Sequence, residues 1–144
     1  MFRSLRHQLT NRSEAVLLCA LASLSACLFA VSESACYGDA TTYAAQIRAG
    51  NLTDPGHLFW RPLGRLANLA LGAQTYSAVL WQLQLLCLFA SILAVIAMYR
   101  LAAQLYGRQA GVVAAVLMAV SNGFWMYAFS GCSYSLSMLI CRAR

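Results

Sequence analysis

Four side chains in the first half of the chain are of types that could do chemistry together: Asp39, His57, Arg61 and Arg65. Arg61 and Arg65 stand four residues apart, so on a helix they share a face and offer forked donors that suit a phosphate. The plainer reading of the pair is two cations solvating a polar stripe. His57 follows Asp54-Pro55-Gly56, a turn signal, and is either a loop residue or a proton-transfer group. Asp39 stands before residues 40–49, and Gly50 closes that segment. Asp is favoured at a helix N-cap and Gly just past a helix end. The segment is therefore expected to be a short helix, with Tyr43, Ala44 and Ile47 on one side and Asp39 as a cap worth about 1 kcal/mol. No second acid stands beside Asp39, since Ala40 and Thr41 follow. A paired-carboxylate metal site is unsupported, and neither a metal nor a cofactor is expected. The six cysteines contain no CxxC and no Cys/His spacing suited to zinc.

The elements that hold these residues are written in the composition. Of 144 residues, 61% are hydrophobic and 10% charged, with a mean hydropathy of +0.64. Soluble domains run near about 45–50% apolar and about 25% charged. So large an apolar surplus cannot be hidden in one small core, and a lipid bilayer is the expected solvent. Three stretches, residues 15–31, 76–99 and 110–129, are about long enough to span it and lack Asp, Glu, Lys, Arg and His. Each should be a helix, because lipid satisfies no backbone group. Residues 134–144 begin to resemble a fourth span. The expected fold is an all-α membrane protein with about three transmembrane helices and short interfacial helices in the loop 32–75. The chain reads as one membrane domain over residues 1–144, the truncated N-terminal part of a larger polytopic fold.

Ten arginines, four acids and no lysine give a net charge of +6. The arginines cluster between apolar runs and form no aromatic-interleaved basic face, so a nucleic-acid partner is excluded. Arg3, Arg6 and Arg12 precede the first span, and Arg100 and Arg108 fall in the turn expected between the second and third. Cytoplasmic loops collect arginine. The N-terminus is thus expected in the cytoplasm and the loop 32–75 outside, in a multi-pass protein of the inner (plasma) membrane. A signal-peptide reading, with Leu24-Ser25-Ala26-Cys27 as a lipoprotein box, is opposed by the apolar run continuing through Val31. Cys19, Cys27 and Cys87 lie in apolar runs and are expected to be small buried hydrophobes. Cys36, Cys132 and Cys141 fall near one membrane face, where a disulfide is feasible.

Residues 58–71 are amphipathic. Phe59, Pro62, Leu63, Leu66 and Leu69 recur at helical spacing, opposite Arg61, Arg65 and Asn68. Together with Trp60 this predicts a helix along the outer interface with the arginines turned to the headgroups. Gln82, Gln84 and Asn122 fall at comparable depth in their spans and are expected to face the protein interior.

The order of these features resembles the polytopic GT-C glycosyltransferases, specifically the protein mannosyltransferase and lipid A arabinosyltransferase group. The likeness runs through Tyr37-Gly38-Asp39-Ala40-Thr41-Thr42-Tyr43-Ala44, His57-Leu58-Phe59-Trp60-Arg61-Pro62-Leu63, Tyr106-Gly107-Arg108-Gln109-Ala110-Gly111 and Ser121-Asn122-Gly123-Phe124-Trp125-Met126-Tyr127-Ala128. Where that group often has an acid before a Tyr, this chain has Cys132-Ser133-Tyr134. The resemblance implies transfer of a sugar from a polyprenyl-phosphate donor to an acceptor at the outer membrane face. It makes Asp39 the catalytic general base, with Arg61, Arg65 and His57 as ligands of the lipid phosphate. It also implies further spans, so that the chain alone is not expected to turn over. The alternative is a small non-enzymatic membrane protein, a subunit or assembly factor in which Asp39 only caps a helix. A transporter is disfavoured, because no charge lies within a span.

Overall fold

The computed structural model describes residues 2–31, 39–53, 59–134 and 136–137. Its regular elements are all helical: α1 (Phe2–Val31), α2 (Ala40–Ala49), α3 (Trp60–Leu71), α4 (Tyr76–Tyr106), α5 (Arg108–Val120) and α6 (Asn122–Ala128).

Helix α4 is the spine. Thr75 opens it from an extended conformation, its Oγ1 accepting from the Ala78 N–H at 3.2 Å. At roughly 1.5 Å per residue its 31 residues reach about 46 Å. It is the one described helix long and apolar enough to cross a bilayer by itself. It also runs past the expected end at residue 99, so Arg100 lies inside the helix and not in a turn. The connection to α5 is Gly107 alone, at φ 90°, a conformation that a side chain disfavours.

Of the other two expected spans, one is broken. The stretch 110–129 breaks at Ser121, and α5 and α6 meet at a bend of 65°. Ser121 is extended at φ −65°, ψ 129°, and its hydroxyl donates back to the Met118 carbonyl at 2.9 Å. That carbonyl is one which a continuing helix would use for its own ladder. In α1 the expected span 15–31 lies within one unbroken helix.

Two clusters form the core. In the first, α5 lies along α4 with Gly111, Ala115 and Ala119 as its buried residues. A Cβ on Gly111 would come within 2.8 Å of the Tyr99 carbonyl oxygen, so the backbones approach as closely as small residues allow. Leu21 and Phe29 of α1 complete this cluster, with Phe29 edge-on to Phe124 at 5.8 Å. In the second, α2 and α3 pack on the first half of α4 through Tyr43, Ile47, Trp60, Val79, Leu83 and Cys87. The surface of α4 that these helices leave uncovered exposes Trp81, Leu85, Phe89, Leu93, Leu101 and Leu105, a winding stripe at four-residue spacing interrupted at the half-buried Ala97.

The cysteines divide. Cys87 is buried as expected, whereas Cys19 and Cys27 are exposed, on faces of α1 that no helix covers. Cys132 is buried; Cys36 and Cys141, the other two cysteines of the feasible disulfide, lie outside the described residues. Gln82 and Gln84 are buried as expected, but Asn122 is exposed because the chain bends at Ser121 and α6 begins there.

Candidate functional site

Helix α2 has the ends anticipated for it, Asp39 before Ala40 and Gly50 after Ala49 in the left-handed region at φ 75°. The cap itself is not made. Asp39 sits at φ −84°, ψ 8°, away from the extended conformation that aims a cap side chain at the first turn, and its carboxylate caps no backbone N–H. Oδ2 instead accepts from the Tyr43 hydroxyl at 3.4 Å, one helical turn on. The Asp39 side chain is exposed while Tyr43 is buried.

The other face of Tyr43 meets α3. The Arg61 guanidinium carbon lies 5.5 Å from the centroid of the Tyr43 ring, a cation–π contact. Two candidates 22 positions apart in sequence are thereby joined through one tyrosine. Arg61 is 2% exposed, however, so it is turned into the protein and not toward headgroups as its stripe suggested. The whole helix is rolled accordingly. Trp60, Arg61, Gly64 and Asn68 face inward, while Phe59, Leu66 and Leu69 face outward. Gly64 permits this, since a Cβ there would meet Ile47 Cδ1 at 2.6 Å and Leu83 Cδ2 at 2.8 Å. Trp60 fastens it, its indole N–H donating to the Gly131 carbonyl at 3.0 Å.

The segment after α6 forms the floor. Gly131 lies against Ala40, Leu83 and Gln84, with a virtual Cβ 3.4–3.5 Å from each. The Cys87 thiol is 3.0 Å from the Tyr127 carbonyl and 3.3 Å from that of Cys132, and the Ser91 hydroxyl is 3.2 Å from the Ala128 carbonyl. Tyr76 at the start of α4 donates to the Thr41 carbonyl at 3.3 Å, tying α2 down from its open side.

Electrostatics follow from burial. Burial first, and then the Asp39 carboxylate, push the Tyr43 hydroxyl from 10.0 up to about 12. Tyr43 is therefore a hydrogen-bond donor at any ordinary pH. Burial also raises the Cys132 thiol, while the Ser130 hydroxyl and backbone groups of Ala40 and Asp39 draw part of that shift back. Chemically the cluster offers one exposed carboxylate, held by a neutral tyrosine donor and backed by a buried cation. Such a carboxylate is able to accept a proton from a hydroxyl.

Of the remaining candidates, Arg65 lies one turn beyond Arg61 and is half-buried, and His57 lies outside the described residues. Tyr43 enters the sequence reading only as a residue of the apolar face, and its spacing of four from Asp39 was the available signal. Gly131 and Cys132 carry no local signal for their part in the floor. No group of three or more His, Cys, Asp or Glu among the described residues could hold a metal ion. Comparisons of the chain with protein-family models, with curated proteins and with solved structures find no match.

Proposed function

We propose that the chain is an integral membrane protein and the N-terminal part of a GT-C type glycosyltransferase, with Asp39 as general base. In this reading Asp39 takes the proton of an acceptor hydroxyl as that hydroxyl attacks the anomeric carbon of the sugar, whose bond to the donor phosphate breaks to release the polyprenyl phosphate. The loop 32–75 lies at the outer face, and Arg65, with His57, meets the phosphate of a polyprenyl-linked donor. Arg61 acts from behind, holding Tyr43 and through it the carboxylate. The observation that carries the reading is the convergence of Asp39 and Arg61 on Tyr43. The membrane part rests on the length of α4 and on its exposed apolar stripe, a surface that a soluble monomer rarely leaves bare. The outward Phe59, Leu66 and Leu69 of α3 suit acyl chains in the same way.

The test, made in the longer polytopic protein that this reading implies, is sugar transfer from a polyprenyl-phosphate donor in membranes, comparing wild type with Asp39→Asn. Loss of transfer at unchanged protein level supports the assignment, and a near wild-type rate sinks it. The burial of Arg61 favours a second reading, in which Asp39, Tyr43 and Arg61 are a packing element of a non-enzymatic membrane subunit. In that case Asp39→Asn is harmless in every assay.

A further inference from the structure

At the end of the bundle away from Asp39, a cleft of about 360 Å³ opens between α1, α4 and α5, lined by Glu14, Tyr99, Arg100, Ala103, Gln104 and Arg108. A second hollow of about 380 Å³ adjoins it and shares Arg108. Its other walls are Leu17, Val112, Val113 and the aliphatic stem of Gln109, and its surface is wholly apolar.

The order of the two hollows is set by the helices. Arg108 Nη2 donates to the Ser13 carbonyl at 3.3 Å, so α1 and α5 meet here near the starts of their apolar stretches. Farther along, α1 meets α6, which follows α5 in the chain, where the Trp125 indole donates to the Leu28 carbonyl at 2.9 Å. Leu17 and Val112 each lie about one turn beyond Glu14 and Arg108, so the apolar hollow is the deeper of the two. A polar cleft thus opens above an apolar groove, in contact through the stem of one arginine.

Charge selects the occupant. Glu14 is already engaged, accepting from the Tyr99 hydroxyl at 2.8 Å and lying 4.0 Å from Arg108 Nε. Arg100 is exposed and has no acidic partner among the described residues. The cleft therefore carries one positive charge in excess, and its acid is not open to an ammonium group. We propose that these two hollows form a binding site for one anionic phospholipid. Its phosphodiester lies between Arg100 and Arg108, within reach of Gln104, and one acyl chain lies in the groove of Leu17, Val112 and Val113. This rests on the chain's residence in a membrane and is independent of any role for Asp39.

The experiment is retention of single lipids by the purified full chain, read by native mass spectrometry. The probes are phosphatidylglycerol and phosphatidylcholine of identical acyl composition, with sn-glycerol phosphate as a soluble competitor. Wild type should prefer phosphatidylglycerol by about tenfold or more, given the attraction of anionic lipid to each arginine. Arg100→Gln with Arg108→Gln should bring the two lipids close to parity. Val113→Trp, which keeps both arginines and fills an exposed groove position, should cut phosphatidylglycerol retention several-fold. Helicity by circular dichroism should be the same in all three proteins. A double variant that keeps the preference overturns the proposal. So does a Val113→Trp protein that retains lipid as wild type does, which indicates diffuse attraction. Displacement of the lipid by millimolar glycerol phosphate overturns it too, by indicating a site for free anions.

Discussion

The indole N–H of Trp60 donates to the carbonyl of Gly131 across 3.0 Å and joins residues 71 positions apart. This bond ties α3 to the floor of the candidate site, and both groups are buried. Trp60→Phe keeps most of the ring volume but leaves the Gly131 carbonyl without its donor. An unpaired buried polar group costs about 1–3 kcal/mol. The thermal midpoint in detergent should fall, and a fluorophore on α3 should gain mobility before global melting. An unchanged midpoint would show that the bond is not formed.

Asp39 gives a sharper contrast because its carboxylate caps nothing. Both Asp39→Asn and Asp39→Ala should leave stability within about 0.5 kcal/mol, the range usual for surface substitutions. A capping side chain would instead make the Ala variant worse by about 1 kcal/mol. If Asp39 is the general base, both variants should lose about 10²–10⁴-fold in transfer. Stability and activity therefore read out two separate roles, and each assay is capable of rejecting its own.

Tyr43 supplies a pH signature. Its hydroxyl, raised to about 12, keeps its proton in the folded state at pH values where an unfolded tyrosine, near 10, has lost it. The unfolded state then binds fewer protons, so stability falls as pH rises from about 10 toward 12. Below about 10 the contribution is fully present. Spectrophotometric titration at 295 nm should show a tyrosine step near 12, and Tyr43→Phe should remove that step. A Tyr43→Phe protein with an unaltered titration curve refutes the assignment.

Two glycines pack helices closely and should differ in cost. At Gly111 an added methyl meets the Tyr99 carbonyl oxygen and Ala103 Cβ, both at 2.8 Å, and neither is able to swing aside. Gly111→Ala should part α4 from α5 and cost about 1–3 kcal/mol. At Gly64 the obstacles are the ends of Ile47 and Leu83 side chains, which have other rotamers. The gain of about 1 kcal/mol in helix propensity from Gly to Ala offsets that repacking, so Gly64→Ala should be near neutral. Equal losses in chemical denaturation would contradict this ordering.

The roll of α3 is open to a direct probe. Cysteines at positions 66 and 69, in a background freed of the six native ones, should carry spin labels accessible to a lipid-soluble quencher. Labels at position 65 should be less so. The opposite pattern would restore the arrangement in which the arginines face the headgroups.

The ends of the helices around the site were legible from local chemistry. Asp39 and Gly50 bracket α2 at its observed bounds, whereas the turn expected to hold Arg100 and Arg108 is reduced to Gly107 alone. The start and hydropathy of α4 were equally plain, because they are properties of consecutive residues, although the helix runs on to Tyr106. Three things were decided only by tertiary contact. The face of α3 that turns inward was one, since a periodic pattern shows that two faces differ but not which of them meets protein. In water the apolar face goes in; here Gly64, Tyr43 and Gly131 draw the arginine face in and leave the leucines outside. The break at Ser121 was another, because an apolar run without proline reads as continuous until a hydroxyl turns back on the Met118 carbonyl. The third was the meeting of Asp39 with Arg61, which needed the α2–α3 packing on α4 to put one tyrosine ring between them. Spacing along a chain sets the phase of a helix, but only the partner's surface selects the angle at which that phase is read.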